Sequence, residues 1–147
     1  MDFLNNFIED LKENLRKFSF IIAPLLALIL FIIFYKFRII NLVVDSNLQN
    51  NIVNVSGILS GFLFTAYGVF ISLPDNKFIS SLKRIGYFSL VYKILLFGII
   101  FLITAMLMGM FKISDFYMVL LFLLGISEVI LSVYYFYMIT TLSSKSN

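Results

Sequence analysis

The sequence carries, at Val119–Ile139, the stretch VLLFLLGISEVILSVYYFYMI. As a helix this stretch is long enough to cross a bilayer, because a hydrocarbon core about 30 Å thick needs about 20 apolar residues. Four segments of that kind are predicted along the chain, at Phe18–Tyr35, Ile52–Leu73, Leu90–Phe111 and Phe116–Ile139. The predicted fold is an all-α membrane protein, with an amphipathic segment over residues 1–17 and a four-helix transmembrane domain over residues 18–147.

The composition points to the same class of protein. Of the 147 residues, 61% are hydrophobic and 13% are charged, against roughly 45–50% and about 25% in soluble domains. The chain has no cysteine and no histidine, which excludes disulfides, thiolate metal sites and histidine-based acid–base catalysis. We therefore predict no catalytic residue, no metal, no cofactor and no enzyme activity. The net charge of +3 comes from cations beside apolar runs, which fits lipid headgroups better than nucleic acid.

Lysine and arginine divide unevenly between the two predicted sides of the membrane. One side carries Lys12, Arg16, Lys17, Lys77, Lys83, Arg84, Lys93 and Lys145, and the other carries Lys36, Arg38 and Lys112. Because the richer side is usually cytoplasmic, we predict a multi-pass protein with both termini in the cytoplasm. The lack of a signal peptide and the heavy use of Ile, Asn, Lys and Phe suggest a bacterial inner membrane.

Two shorter segments are predicted to be helices at the cytoplasmic surface. In residues 1–17 the apolar residues repeat at helical spacing and the charged residues lie on the opposite face, which predicts an amphipathic helix. This helix either leads into the first span or docks a partner. After the second span, LPDNKFISSLKRIGYF begins with a Pro-Asp turn. It continues as a short basic interfacial helix that contains Lys77, Lys83 and Arg84 beside Phe78, Ile79, Leu82 and Ile85.

Small and polar residues recur along one face of the second span. They are Asn54, Gly57, Gly61, Thr65, Gly68 and Ser72. In lipid such a face lets helix backbones approach closely, as in the G-x-x-x-G of GILSG. We predict helix–helix packing through Gly57, Gly61, Gly68 and Ser72. The partner is either another helix of the same chain or a second subunit of a homo-oligomer, and a pore wall is a further interpretation of the same face.

The fourth span contains the acid Glu128 near mid-bilayer, on a stripe with Gly125, Ser132 and Tyr135. A charge at that depth costs about 2.5–3.5 kcal/mol on insertion scales, so we expect Glu128 to face the bundle interior or a watery cavity. Thr65 is predicted to lie at nearly the same depth as Glu128, where its hydroxyl group could be a hydrogen-bond partner for the acid. Lys93, which we place at the membrane boundary, is predicted to lie more than about two helical turns away in depth. Glu128 is then either a neutral acid hydrogen-bonded between helices, or part of a cation or proton path with Ser132 and Thr65.

Three functions fit these features. The first is an oligomeric channel in which Glu128 forms a ring that favours cations. The second is a small proton-coupled exporter, because four short spans and one intramembrane acid look like small multidrug resistance transporters. That family has its acid in the first helix, however, and here the acid is in the last. The third is a membrane anchor or adaptor that holds a soluble partner through its basic helix and N-terminal segment.

The residues VSGILSGFLFTAYGVFISLPDNKFISSLKR, Val55–Arg84, carry a further resemblance. Together with the four-span plan, this stretch resembles small multi-span membrane proteins of bacterial anti-phage defence operons. Some of those assemble as channels gated by a separate sensor or nucleotide-second-messenger enzyme. The resemblance implies an antiviral effector that disrupts the membrane potential, with the cytoplasmic helix or tail as the point of control by a soluble regulator. We therefore predict a channel-like or pore-like effector that works as a homo-oligomer in membrane lipid.

Overall fold

The computed structural model describes residues 14–37, 44–75 and 77–144, and all the regular structure in these ranges is helical. The helices are α1 (Ser19–Lys36), α2 (Ser46–Ile71), α3 (Lys77–Arg84), α4 (Tyr87–Met110) and α5 (Asp115–Ser144). Within these ranges, 4 helices are long and apolar enough to cross a membrane, namely α1, α2, α4 and the Asp115–Thr141 part of α5. The predicted all-α chain with four candidate spans is thereby confirmed.

Some predicted features fall wholly or partly outside the described residues. Residues 1–13 of the predicted amphipathic segment lie outside them, whereas residues 14–17 are helical. Of the cations used to predict the orientation, Lys12, Arg38 and Lys145 also lie outside. The cytoplasmic position of the termini therefore stays a prediction.

The second span is longer than the hydropathy pattern indicates. Helix α2 begins at Ser46 rather than at Ile52, because the carboxylate of Asp45 caps it by accepting the backbone N–H of Leu48 at 2.8 Å. Its polar first turn is also tied to the bundle, since the Gln49 side-chain amide donates to the Gly109 carbonyl at 2.6 Å. Local capping and one tertiary hydrogen bond extend the helix beyond its apolar part.

Helix α4 lies at the centre of the bundle and α1 at its edge. In α4, 44% of the apolar window is buried inside the protein, against 6% in α1. The core around α4 contains the fully enclosed side chains of Leu63, Ile94 and Leu102. Helix α1 packs mainly on α5, where the rings of Phe31 and Phe116 lie 5.4 Å apart. The rest of α1 exposes a continuous apolar surface, which is suited to lipid.

Helix α3 has the predicted basic side, but its apolar side is turned inward. Ile79 and Leu82 are buried, and the helix packs against α4. Lys77, Lys83 and Arg84 remain exposed, and Lys83 pairs with Asp75 of the preceding turn at 2.5 Å. The short turn at residues 73–75 folds α3 back onto the bundle, so the protein itself covers these two apolar side chains.

Candidate functional site

Glu128 is completely enclosed within the bundle. Its side chain is 0% exposed, and neither carboxyl oxygen has a hydrogen-bond partner among the described residues. The hydroxyl of Ser56, on α2, is likewise buried without a partner. Enclosed polar atoms of this kind are few in folded proteins, because each unsatisfied group costs about 1–3 kcal/mol.

The position of Glu128 is set by a glycine on the central helix. A Cβ atom placed on Gly98 of α4 would lie 3.1 Å from the Cβ of Glu128 and 2.7 Å from Cδ1 of Leu63. Helices α2, α4 and α5 can meet at this level only because residue 98 has no side chain. We call this contact, with Leu63, Gly98 and Glu128 at one depth, the central seam.

Helices α4 and α5 also approach closely at Gly125, and all three helices meet again at Gly109, where an added Cβ would touch Val53 of α2 as well as Met118 of α5. A Cβ on Gly125 of α5 would lie 2.6 Å from Cγ of Leu102, and a Cβ on Gly109 would lie 2.9 Å from Sδ of Met118. Both glycines are buried. The central seam therefore belongs to a glycine-lined junction that runs along the second half of α4, from Gly98 to Gly109. The sequence pattern predicts no packing role for Gly98 or Gly109. Each of them interrupts a run of large apolar residues, and this interruption is the signal that could indicate such a role.

Buried polar side chains continue from Glu128 toward both ends of the bundle. The described polar or charged residues that are buried are Ser56, Ser60, Glu128 and Ser132. Pairs four residues apart share one face of a helix, so the two serines of α2 line up, as do Glu128 and Ser132 of α5. Further along α5, the buried Tyr135 hydroxyl shares a hydrogen bond of 2.9 Å with Ser19 at the start of α1. We call this set the polar column.

The polar column covers much of the membrane depth but is not a continuous hydrogen-bonded chain. Ser56 is seven positions before Leu63, and Tyr135 is seven after Glu128, which puts each about 10 Å from the central seam. Ser60 donates to the Gly57 carbonyl at 3.0 Å and Ser132 to the Val129 carbonyl at 2.7 Å, both within their own helices. Water would have to enter the column to connect its members, and it could then carry a proton or a hydrated cation past Glu128.

Thr65 does not contribute to this site, contrary to the prediction that it could bond Glu128. Its side chain is exposed and donates to the Gly61 carbonyl at 2.9 Å. Leu63 of α2 faces the central seam instead. Thr65 is two positions after Leu63, so its side chain points roughly 200° away from that of Leu63 around the helix axis. The number of residues from the end of each span predicts the depth of Thr65 correctly. It does not predict how α2 is rotated about its axis, and the rotation decides which side chains face Glu128.

Lys93 lies closer in depth to Glu128 than predicted but does not pair with it. It is five positions before Gly98, which is about 7.5 Å along the helix and less than two turns. The Lys93 ammonium lies 5.1 Å from the centroid of the Phe20 ring at the bundle surface. The carboxyl group of Glu128 is thus left without a compensating cation among the described residues.

The small face of α2 points away from the other helices that the structure describes. Asn54, Gly61, Thr65, Gly68 and Ser72 are exposed, and Gly57 is half-buried beside Met106. A Cβ on Gly61 or Gly68 would meet no other atom within 4 Å. Within residues 14–37, 44–75 and 77–144, Gly61, Gly68 and Ser72 therefore do not pack against another helix of the same chain. Their predicted contact with a second subunit stays a prediction.

Across residues 14–37, 44–75 and 77–144, there is no group of three or more acidic residues that could hold a metal ion. Comparison with protein-family models, curated proteins and solved structures finds no match to this chain.

Proposed function

We propose that this protein is a channel-like membrane effector that assembles as a homo-oligomer and conducts cations, protons included, in a manner that depends on Glu128. The observation that carries this proposal is the buried carboxyl group without a partner. An acid inside a membrane protein marks an ion or proton pathway more often than a structural contact, because its burial is costly.

Stability alone gives no reason for an acid at this position. With the residues that the structure describes, the carboxyl group makes no hydrogen bond or ion pair that would offset the loss of its hydration. An apolar side chain of similar size would fill the same space between α2, α4 and α5 without that cost. A role in which Glu128 meets water, a proton or a cation in a second conformation accounts for the residue better than packing does.

Conduction along this route requires the central seam to take up water. In the described conformation Glu128 is not accessible to solvent, and we take this conformation as the closed state of the proposed channel. A ring of Glu128 side chains around an oligomer axis would require α5 to rotate away from Gly98. Separation of the three helices by the width of one water molecule is the smaller change, and it would connect the hydroxyl groups of the polar column to the carboxyl group.

The small face of α2 and the exposed cations of α3 supply the other parts of the proposed effector. Gly61 and Gly68 offer a close-packing surface to a second copy in lipid, where small residues drive helix association. Lys77, Lys83 and Arg84 would face a soluble regulator in the cytoplasm. The resemblance of Val55–Arg84 to anti-phage membrane proteins is the basis for proposing an antiviral effector. We place it in a bacterial inner membrane from its composition, and we place both termini in the cytoplasm from the uneven distribution of lysine and arginine.

Recordings from the purified protein in planar bilayers under a KCl gradient test this function. We expect cation-selective currents whose reversal potential moves toward zero in Glu128→Gln. Asp115→Asn is the matched control, because it removes one carboxylate from an exposed position of the same helix and should leave the reversal potential unchanged. An unchanged reversal potential in Glu128→Gln would overturn the proposal. So would the absence of conductance from the wild-type protein, both in bilayers and in expressing cells.

The enclosure of Glu128 also favours a second candidate, a proton-coupled exporter. A carboxyl group closed off from both sides suits a carrier that exposes its proton site to one side at a time. Substrate uptake into vesicles that follows an imposed proton gradient, without channel-type currents, would favour this candidate. If Glu128→Gln is silent in both assays while substitutions in α3 release a soluble protein, the chain is an anchor or adaptor.

A further inference from the structure

The polar column ends, on the predicted cytoplasmic side, in a hydrogen bond between two helices. Tyr135 of α5 is 4% exposed, and its hydroxyl group shares a hydrogen bond of 2.9 Å with Ser19 at the start of α1. Ser19 itself donates to the Arg16 carbonyl at 2.9 Å, so Tyr135 is the donor to Ser19. Ser60 and Ser132 instead donate to carbonyl groups of their own helices. The bond between Tyr135 and Ser19 therefore depends on how α1 is placed against α5.

Tyr135 closes the face of α5 that carries Glu128. Glu128, Ser132 and Tyr135 stand at positions i, i+4 and i+7, so they share one side of the helix. Tyr135 is buried, whereas every residue from 136 to 141 is half-buried or exposed. The ring of Tyr87, at the start of α4, packs edge-on against that of Tyr135 with the centroids 6.2 Å apart. Water that follows this face inward from the predicted cytoplasmic side meets Tyr135 first.

Helix α1 is fixed more firmly at its end than at its start. It is the least buried of the four candidate spans, with 6% of its apolar window buried against 22% or more in the others. Near its end Phe31 is 2% exposed, and the rings of Phe31 and Tyr35 each lie 5.4 Å from that of Phe116. Within the part of the chain that the structure describes, the bond from Ser19 to Tyr135 is the one side-chain hydrogen bond that joins α1 to another helix.

A proline and an adjoining groove give the start of α1 room to move. Pro24 lies inside the helix and has no N–H to donate to the Phe20 carbonyl, so the first turn can bend relative to the rest. A groove of about 290 Å³ with an apolar lining lies beside Pro24, between α1 and α4, and the stacked rings of Phe20 and Phe97 border it. Ser19 is five positions before Pro24, so a bend of about 25° moves it by about 3 Å, the width of one water molecule.

We propose that Tyr135 and Ser19 gate the polar column at its predicted cytoplasmic end. When their hydrogen bond breaks and the start of α1 bends away, water reaches Ser132 and continues toward Glu128. The central seam stays a second barrier, because Leu63 packs at Gly98 there. The inference rests on the proposed function for what then passes along the column, whereas the opening itself can be measured without conduction.

Oxidation of a single introduced thiol measures the opening on the full chain. The chain has no cysteine, so Ser132→Cys places one thiol a turn inside the gate, at a position that is 1% exposed. The protein is held in nanodiscs, and hydrogen peroxide, which is little larger than water, is added; the free thiol that remains is counted after unfolding. Addition of Tyr135→Phe should speed the loss of thiol about fivefold, because a hydrogen bond of ordinary strength is lost from the closed state alone.

Two further variants make this measurement specific. Ser19→Ala removes the same bond from the other side, so Ser19→Ala and Tyr135→Phe together should accelerate oxidation no more than either does alone. Tyr134→Phe is the matched control, because it removes the hydroxyl group of the exposed neighbouring tyrosine, and it should leave the rate unchanged. Circular dichroism confirms that each variant is folded. An unchanged rate in Tyr135→Phe and Ser19→Ala, or an equal rise in Tyr134→Phe, would overturn the gate. Oxidation of Ser132→Cys alone at the rate of the unfolded protein would do the same.

Bilayer recordings separate failure of the gate from failure of the proposed function. Tyr135→Phe should raise the time-averaged current about fivefold without moving the reversal potential, because the gate sets how often the column opens and Glu128 sets which ions pass. Current that depends on Glu128, combined with unchanged current and unchanged oxidation in Tyr135→Phe, refutes the gate alone. Faster oxidation in Tyr135→Phe, in a protein that carries no current, refutes conduction and supports the gate as the entry of water to a buried carboxyl group.

Discussion

The glycine-lined junction of α4 and the small face of α2 are both places where side chains are missing, but only the first is filled by the chain itself. At Gly98 an added Cβ would meet Leu63 at 2.7 Å, whereas at Gly61 and Gly68 it would meet nothing within 4 Å. Glycine at the junction lets helices touch, and glycine on the outer face of α2 leaves a surface. The difference shows that a regular stripe of small residues need not mark the contacts that hold a single chain together.

The two faces of α2 also differ in polarity. The inward face carries Ser56 and Ser60 toward the enclosed Glu128, and the outward face carries Thr65, which is exposed. A polar group costs little on the outward face if another subunit or water reaches it. On the inward face it costs more because nothing in the described structure satisfies Ser56 or Glu128. The inward face of α2 is thus the candidate for the proposed conduction, and the outward face is the candidate for contact between subunits.

The largest effect is expected from a bulky residue at the junction. Gly98→Leu must push apart α2 and α5, because even a Cβ lies within 3.1 Å of Glu128 and closer still to Leu63. Overpacked cores lose about 1–3 kcal/mol, and we expect a loss near the upper value. Thermal unfolding in detergent measures it. Gly68→Leu is the matched control. When the wild type and both variants are compared as monomers in dilute detergent, Gly68→Leu should unfold near the wild-type temperature, and equal losses in the two variants would contradict the comparison.

Replacement of Glu128 by an apolar residue is expected to stabilise the junction. Glu128→Met keeps a similar side-chain length and removes two oxygen atoms that have no partner, so the free energy of unfolding should rise by about 1–3 kcal/mol. Titration with a denaturing detergent measures this change. Glu128→Gln retains a buried polar group and should gain little. A clear loss of stability in Glu128→Met would mean that the carboxyl group has a partner in the membrane, such as a bound cation.

A larger side chain on the small face of α2 should affect association of subunits but not the fold of a single chain. In Gly61→Leu the new side chain has room within the chain, so the fold should be retained while a helix contact through this face is blocked. We expect dissociation of the homo-oligomer to increase about tenfold, equivalent to about 1.4 kcal/mol. Analytical ultracentrifugation in detergent measures the change.

Val133→Leu is the control for that experiment, because it enlarges an exposed residue of α5 outside the small face. Its oligomeric state should match that of the unmodified protein. An unchanged oligomer in Gly61→Leu would place the subunit contact elsewhere, and a protein that is monomeric from the start would remove the contact altogether.

Sequence reasoning predicted what depends on composition and depth, and missed what depends on helix rotation. The spans follow from runs of apolar residues, and a buried position for Glu128 follows from the cost of exposing an acid to lipid. The pairing with Thr65 failed because counting along a helix gives height but not direction. The role of Gly98 was missed for a related reason, since only the packed positions of Leu63 and Glu128 show that three helices meet there.

The smallest change in stability is expected from removal of a single hydroxyl group, either from Ser56 on the inward face of α2 or from Ser72 on its outward face. The Oγ of Ser56 is buried without a partner, whereas the exposed Ser72 donates to the Val69 carbonyl at 3.0 Å. Ser56→Ala should therefore raise stability by about 1 kcal/mol, and Ser72→Ala should change it by less. Thermal unfolding of both variants decides the point. If Ser56→Ala instead destabilises the protein, water already occupies the polar column in the closed state, and hydration from Ser56 to Glu128 would need only a small opening of the central seam.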